Sequence, residues 1–115
     1  MPVSNTYIEY VKDSLRDFAP LVVKRMFGGA GVYCAGLFFA IVVDDELYLK
    51  VDDQNRPDYE ARKLQPFTYT SKKGKTFKMS YYPIPAHVLE DPNVLRDWVH
   101  KALNAAQRAK NARLG

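Results

Sequence analysis

The sequence RMFGGAGVY spans residues 25–33, and GLFFA follows at residues 36–40. The glycines of the first segment stand between two apolar, β-type stretches, whereas the glycines of a phosphate-binding loop stand between a strand and a helix. The segment also lacks the Lys-Ser or Lys-Thr pair of a P-loop and the spacing of a dinucleotide fingerprint. The pattern therefore predicts a β-hairpin, which favours an interaction module over a nucleotide-dependent enzyme.

The residues on both sides of this hairpin extend it into a meander. Period-two and continuous apolar patterns predict strands at residues 21–27, 30–34, 37–43 and 46–51, with tight turns at Gly28-Gly29, Ala35-Gly36 and Asp44-Asp45. A helix precedes the meander, since Ser4 can cap it and apolar residues recur at three- and four-residue steps as far as Pro20.

The second half of the chain mixes short helices with a second hairpin. Asn55 can cap a short central helix, residues 67–70 and 76–82 predict a hairpin, and residues 85–89 predict a helical turn. A last helix begins at Asp91-Pro92. The order predicts an α+β fold: a mostly antiparallel sheet of about five to six strands, helices at both termini and one short central helix. We expect one domain over residues 1–106 and a basic tail over residues 107–115 that frays.

Five blocks of the sequence, taken in order, carry a family resemblance. They are RMFGGAGVY, GLFFA, LYLKVD at residues 47–52, FTY at residues 67–69 and MSYYPIP at residues 79–85. This ordered set resembles the N-terminal domain of the TfoX/Sxy family, bacterial regulators associated with competence genes. The resemblance implies an α+β fold and a role in transcription alongside the cyclic-AMP receptor protein. Longer members carry a second, helical domain, for which this chain has no room, so we expect a stand-alone N-terminal domain.

Charge is unevenly distributed along the chain. There are 17 Lys and Arg against 13 Asp and Glu, and the whole formal net charge of +4 comes from the last fifteen residues, which contain no acid. A basic helix end can follow nucleic-acid phosphates, or it can simply be solvated with its cations complementing the helix dipole. No apolar run approaches a membrane span and no secretory signal begins the chain, so we expect a cytoplasmic protein without membrane contacts.

Basic residues near aromatic ones are the candidates for contacts with a partner or a nucleic acid. The second hairpin and the tail supply most of them, although lysines on an edge strand also serve to block unwanted strand pairing. Arg25 either pairs with a carboxylate such as Asp52 or presents its guanidinium to a partner. The candidates are Arg25, Lys72, Lys73, Lys75, Lys78, Arg108, Lys110 and Arg113.

Catalytic and metal-binding patterns are missing from the sequence. Cys34 is the single cysteine, and His87 and His100 have no ligand set at metal-binding spacing. Ser80 lacks a nucleophile-elbow pattern. We therefore predict no catalytic residue, no metal and no cofactor.

Two functional classes remain open. The first is a non-enzymatic regulatory module that acts through protein–protein contacts, with a weak contact to DNA. The second is a small-ligand-binding domain or an enzyme with one aromatic-lined pocket, formed by Tyr33, Tyr48, Tyr69 and Tyr82. Because a small sheet leaves its edges unpaired, we also expect a homodimer.

Overall fold

The computed structural model describes residues 3–26 and 28–114. It has the predicted α+β fold, with a five-stranded antiparallel sheet, a two-stranded sheet and a helix at each end. A short 3₁₀ helix (Arg16–Phe18) follows the first α-helix. The α-helices are α1 (Asn5–Ser14), α2 (Arg56–Glu60), α3 (Ala86–Leu89) and α4 (Pro92–Leu114). The strands are β1 (Leu21–Met26), β2 (Gly29–Cys34), β3 (Leu37–Val43), β4 (Glu46–Lys50), β5 (Thr68–Thr70), β6 (Thr76–Lys78) and β7 (Tyr81–Pro83).

The large sheet is a meander with one added strand, in the order β1-β2-β3-β4-β7. Two of its turns have both central residues at positive φ, Ala35-Gly36 at 50° and 79° and Asp44-Asp45 at 54° and 55°. This is the backbone of tight hairpin turns, whose twist matches that of the strands they join. The meander predicted from the sequence is confirmed, although Phe27, the predicted last residue of the first strand, lies outside the described residues.

The beginning of β2 differs from the prediction. The sequence pattern assigns both Gly28 and Gly29 to the turn, but only Gly28, at a φ of 79°, lies there, and β2 begins at Gly29. A Cβ atom on Gly29 would stand 2.5 Å from the carbonyl oxygen of Val42. The glycine is therefore needed because the backbone of β3 approaches it closely, and not because of a turn.

The second hairpin also differs from the prediction of one strand over residues 76–82. The strand breaks after Lys78, and β7 pairs with β4 in the large sheet while β5 and β6 form the small one. Phe67 joins the two sheets, since its amide donates to the carbonyl oxygen of Tyr81 (2.7 Å) and its carbonyl accepts from the amide of Met79 (2.8 Å). The chain passes from the small sheet to the large one here, because β7 pairs with the edge of β4.

The core lies between one face of the large sheet and the helices. Helix α4 packs mainly against β3 and β4. Leu47 and Leu49 alternate towards this face along β4 and are fully buried, as the period of two requires. The ring of Tyr59 packs edge-on against Trp98, with centroids 4.7 Å apart. The core includes Val11, Leu15, Val32, Ala40, Val42, Leu47, Leu49, Val88 and Val99.

Asn55 stands at the predicted N-cap position of α2, but its side chain does not cap the helix. Its Oδ1 accepts from the amide of Asp52 (2.7 Å), and its Nδ2 donates to the carbonyl of Lys50 (3.0 Å). Asn55 is only 3% exposed. The side chain of Asn55 bonds these backbone groups because they would otherwise be buried at the end of β4 without hydrogen-bond partners.

Helix α4 continues to Leu114, whereas the sequence predicts fraying after Ala106. Arg108 anchors the extra turns, since its Nε and Nη2 donate to the two carboxylate oxygens of Asp52 at 2.6 and 2.9 Å. Asp52 is thus the partner of Arg108, and the alternative pairing with Arg25 is wrong. The hydrogen bond from Arg108 lowers the pKa of Asp52 below its ordinary value, against the opposing effect of burial.

We predict a measurable coupling energy between Arg108 and Asp52. In a double-mutant cycle of Arg108→Gln and Asp52→Asn, urea unfolding at pH 7 should give a coupling energy of about 1 kcal/mol. The value is modest because the paired atoms are partly shielded but still solvated. The pKa of Asp52 is lower in the folded state, so the coupling is present above the ordinary carboxyl pKa of 3.8 and declines as the pH falls below it.

The matched control is the more exposed pair of Arg96 and Asp17, whose atoms lie 2.8 Å apart. Arg96→Gln and Asp17→Asn should give a smaller coupling energy, since both side chains are about half exposed. Equal couplings in the two cycles, or no decline of the Arg108–Asp52 coupling in acid, would show that the pair does not anchor α4.

Candidate functional site

A groove runs between the C-terminal turns of α4 and the sheet, and we call it the basic groove. Its volume is about 290 Å³. The β2–β3 hairpin, strands β4 and β7 and the last turns of α4 contribute its lining. The lining residues are Tyr33, Gly36, Leu37, Phe38, Lys50, Tyr81, Ala106, Ala109, Lys110 and Arg113.

Three aromatic rings stand in a row along this groove. Tyr33 and Phe38 are register partners across the tight β2–β3 turn, and their rings stack with centroids 4.8 Å apart and planes at 21°. Phe38 in turn contacts Tyr81, with centroids 5.7 Å apart. Tyr33 and Phe38 are half-buried, so part of each ring surface is open to a ligand.

Four cationic side chains surround the rings. The ammonium of Lys24 lies 5.2 Å from the ring centroid of Tyr33, and that of Lys50 lies 5.2 Å from the centroid of Tyr81. Lys50 also donates to Ser80 Oγ at 2.7 Å. Lys110 and Arg113 approach from α4. None of these four cations forms an ion pair with any described residue, and no acidic side chain lines the groove.

The electrostatics of the groove follow from this arrangement. Burial lowers the pKa of Lys50, and the charge of Arg113 lowers it further, while Asp52 opposes both. Burial also raises the pKa of Tyr81 to about 12, with Tyr33 adding to the rise and Arg113 opposing it. Arg113 is therefore close enough to act on both groups. The groove concentrates positive charge that an anion would neutralise.

A second groove, which we call the apolar groove, opens on the sheet face away from α4. Its volume is about 380 Å³, and Phe38 and Tyr81 belong to both grooves. Ile41 and Val43 alternate along β3 with the buried Ala40 and Val42, which places them on this outer face. The full lining is Met26, Gly29, Ala30, Phe38, Ile41, Val43, Phe67, Tyr69, Met79 and Tyr81.

The second hairpin leaves large apolar side chains open to solvent beside the apolar groove. Tyr69 is 49% exposed, Phe77 is 47% exposed and Met79 is 40% exposed. Tyr69 and Met79 line the groove directly. The hairpin therefore makes the outer face of the sheet an apolar surface that the domain itself covers only in part.

The four tyrosines predicted for one pocket do not share one. Tyr33 lines the basic groove and Tyr69 lines the apolar groove. Tyr48 packs on Phe67 and donates to Glu46 Oε1 at 2.9 Å, while Tyr82 is buried in the core. The single-pocket prediction is wrong because alternation along β7 turns Tyr82 into the core, while the other three tyrosines lie apart on β2, β4 and β5.

The predicted cationic candidates separate into four groups. Arg25 donates to the carbonyl of Val3 (3.1 Å) and to Asn5 Oδ1, so it ties the N-terminal segment to β1. Arg108 anchors α4. Only Lys110 and Arg113 reach the basic groove. The remaining candidates, Lys72, Lys73, Lys75 and Lys78, lie exposed on the second hairpin.

Sequence reasoning missed Lys24 and Lys50 as members of the site. Lys50 and Tyr81 are register partners between β4 and β7, and that pairing joins residues far apart in sequence. One usable signal was the alternation with the core, since Leu49 and Tyr82 point inward and their neighbours must therefore point outward.

Within residues 3–26 and 28–114, no three His, Cys, Asp or Glu side chains are grouped closely enough to ligate a metal. Cys34 is half-buried, with its Sγ donating to the carbonyl of Phe18 at 3.6 Å. Among the described helices, none has both the length and the apolar character that a bilayer crossing requires.

Comparison with known proteins identifies the family. The sequence model of the TfoX N-terminal domain matches residues 13–106, which is well over half of the chain. The comparison with curated proteins found no match to the chain. The match confirms the resemblance drawn from the five sequence blocks, and it ends before Arg108, Lys110 and Arg113. The chain therefore belongs to the TfoX N-terminal domain family.

Proposed function

We propose that this domain is a non-enzymatic regulatory module that binds a protein partner and contributes to the transcription of competence genes. Membership of the TfoX N-terminal domain family supports the regulatory role. The observation that carries the mode of action is the apolar groove, which is open on the outer face of the sheet and flanked by the exposed Tyr69, Phe77 and Met79.

The composition of this surface suits a protein partner. Aromatic residues and methionine are enriched in the buried centres of protein interfaces, and exposed apolar patches of this kind commonly mark binding surfaces. Methionine also adapts its shape to different partners. The hairpin loop adds Lys72, Lys73 and Lys75 next to the apolar surface. We expect a partner with an apolar anchor and acidic residues around it, because such charges complement the lysines.

The proposal is tested by complementing a deletion of the gene in its own organism. Deletion should lower competence-gene transcripts, and the wild-type gene should restore them. Tyr69→Ser should fail to restore them, because loss of a central aromatic anchor costs an interface about 2 kcal/mol or more, which is over tenfold in affinity. Transcripts are measured by quantitative reverse-transcription PCR, with protein levels checked by immunoblot.

Tyr10→Ser is the matched control, since Tyr10 is 43% exposed and lies on α1. It should restore transcription like the wild type. Transcripts that do not change on deletion would contradict the regulatory role. Full restoration by Tyr69→Ser would contradict the assignment of the apolar groove while leaving the regulatory role in place.

The proposal includes self-association through β1. This strand pairs with β2 on one side only within the described sheet, and its Val22 is 51% exposed. An unpaired edge can join the same edge of a second copy across a two-fold axis. Light scattering at micromolar concentrations should therefore show a dimer, and Val22→Lys should shift it towards monomer by placing like charges together. A strict monomer at all these concentrations contradicts this part of the proposal.

A further inference from the structure

We propose that the basic groove is a binding site for a nucleotide, in which the cations hold the phosphate and the aromatic row contacts the base. The inference goes beyond protein binding, since its cations do not line the apolar groove, although the two grooves share Phe38 and Tyr81. Neither Lys110 nor Arg113 lies within the residues that match the family. The site is therefore a property of this chain's own C-terminal helix turns and of the sheet beneath them.

The walls of the groove suit the ring of a nucleobase. Tyr33 and Phe38 stack on each other and are only half-buried, so their open ring surfaces can stack on a base, while the buried Tyr81 contacts Phe38. The volume of about 290 Å³ lies near the lower end of the range of small-molecule pockets, about 300 to 1,000 Å³. A single base with its sugar and phosphate is a ligand of suitable size.

The cations suit the phosphate. Lys110 and Arg113 are three residues apart on α4, a spacing that places side chains on the same face of a helix. Arg113 offers a guanidinium that can bind two phosphate oxygens at once, and lysine is a common phosphate ligand. Lys24 and Lys50 are each held against a ring from the sheet side. The bound phosphate would then contact cations from two directions.

The charges already present favour an anion over a neutral ligand. The lowered pKa of Lys50 reflects the nearby charge of Arg113 as well as burial. Arg108 and Asp52 hold α4 in place despite this repulsion, and Ser80 Oγ accepts from Lys50. Like charges that the fold holds together without a counter-ion from the described residues are typical of binding sites.

The test is titration of the full chain at low salt with adenosine monophosphate, adenosine and inorganic phosphate, followed by two-dimensional NMR. The monophosphate should bind and shift the signals of Lys50, Tyr81 and Ala109. Adenosine and phosphate should each bind at least about tenfold more weakly, because each lacks one half of the contacts.

Two variants of equal charge separate the groove from general attraction. Lys110→Gln with Arg113→Gln should weaken binding about tenfold or more, since it removes charge-assisted hydrogen bonds to the phosphate. Lys72→Gln with Lys73→Gln removes the same charge from the exposed hairpin loop and should change affinity by no more than about twofold. All four positions are exposed or at a loop, and circular dichroism checks that both variants keep the fold.

The nucleotide could be free or part of a nucleic-acid strand. Titration with a single strand of about six nucleotides and with the matching duplex distinguishes these two sources. Tighter binding of the single strand than of the monophosphate assigns the groove to a strand, and equal binding assigns it to a free nucleotide. The duplex arm also tests the weak DNA contact predicted from the sequence. The proposal is overturned if Lys110→Gln with Arg113→Gln binds like the wild type. It is also overturned if phosphate, monophosphate, strand and duplex all bind equally, which would indicate charge attraction alone.

Discussion

The bidentate ion pair between Arg108 and Asp52 is the constraint on which the basic groove depends. Asp52 is held in turn by the amide of Gln54, and Asn55 fixes the backbone at the end of β4. This chain of contacts joins the exit of a central strand to the last turns of α4. Those turns carry Lys110 and Arg113 over the sheet, so the basic groove exists only while the helix end is held.

The two grooves lie side by side, and one is cationic while the other is apolar. Phe38 and Tyr81 form a wall that both grooves use. On one side the wall meets the cations of α4 and the sheet. On the other side it meets the apolar residues of β3 and the second hairpin. Because strand residues alternate between faces, the same strands that build the core also supply this wall.

Local patterns predicted the parts of the fold that depend on local physics. Strand β3 and the Asp44-Asp45 turn are examples, because a continuous apolar run and turn chemistry both depend on neighbouring residues. The side chain of Asn55, the start of β2 at Gly29 and the length of α4 depend on partners distant in sequence. The site likewise has a part that local sequence predicts and a part that it does not. Lys110 and Arg113 were predicted from the local basic cluster of the C-terminal segment. Lys50 and Tyr81 meet only through strand register.

Amide hydrogen exchange in residues 107–113, compared between the wild type and Arg108→Gln, tests the central claim most directly. The account predicts that these amides are protected in the wild type and exchange much faster in Arg108→Gln, while the amides of β3 keep their protection. Fast exchange of residues 107–113 in the wild type would contradict it, because the last turns of α4 would then not be held and the basic groove would have no fixed wall.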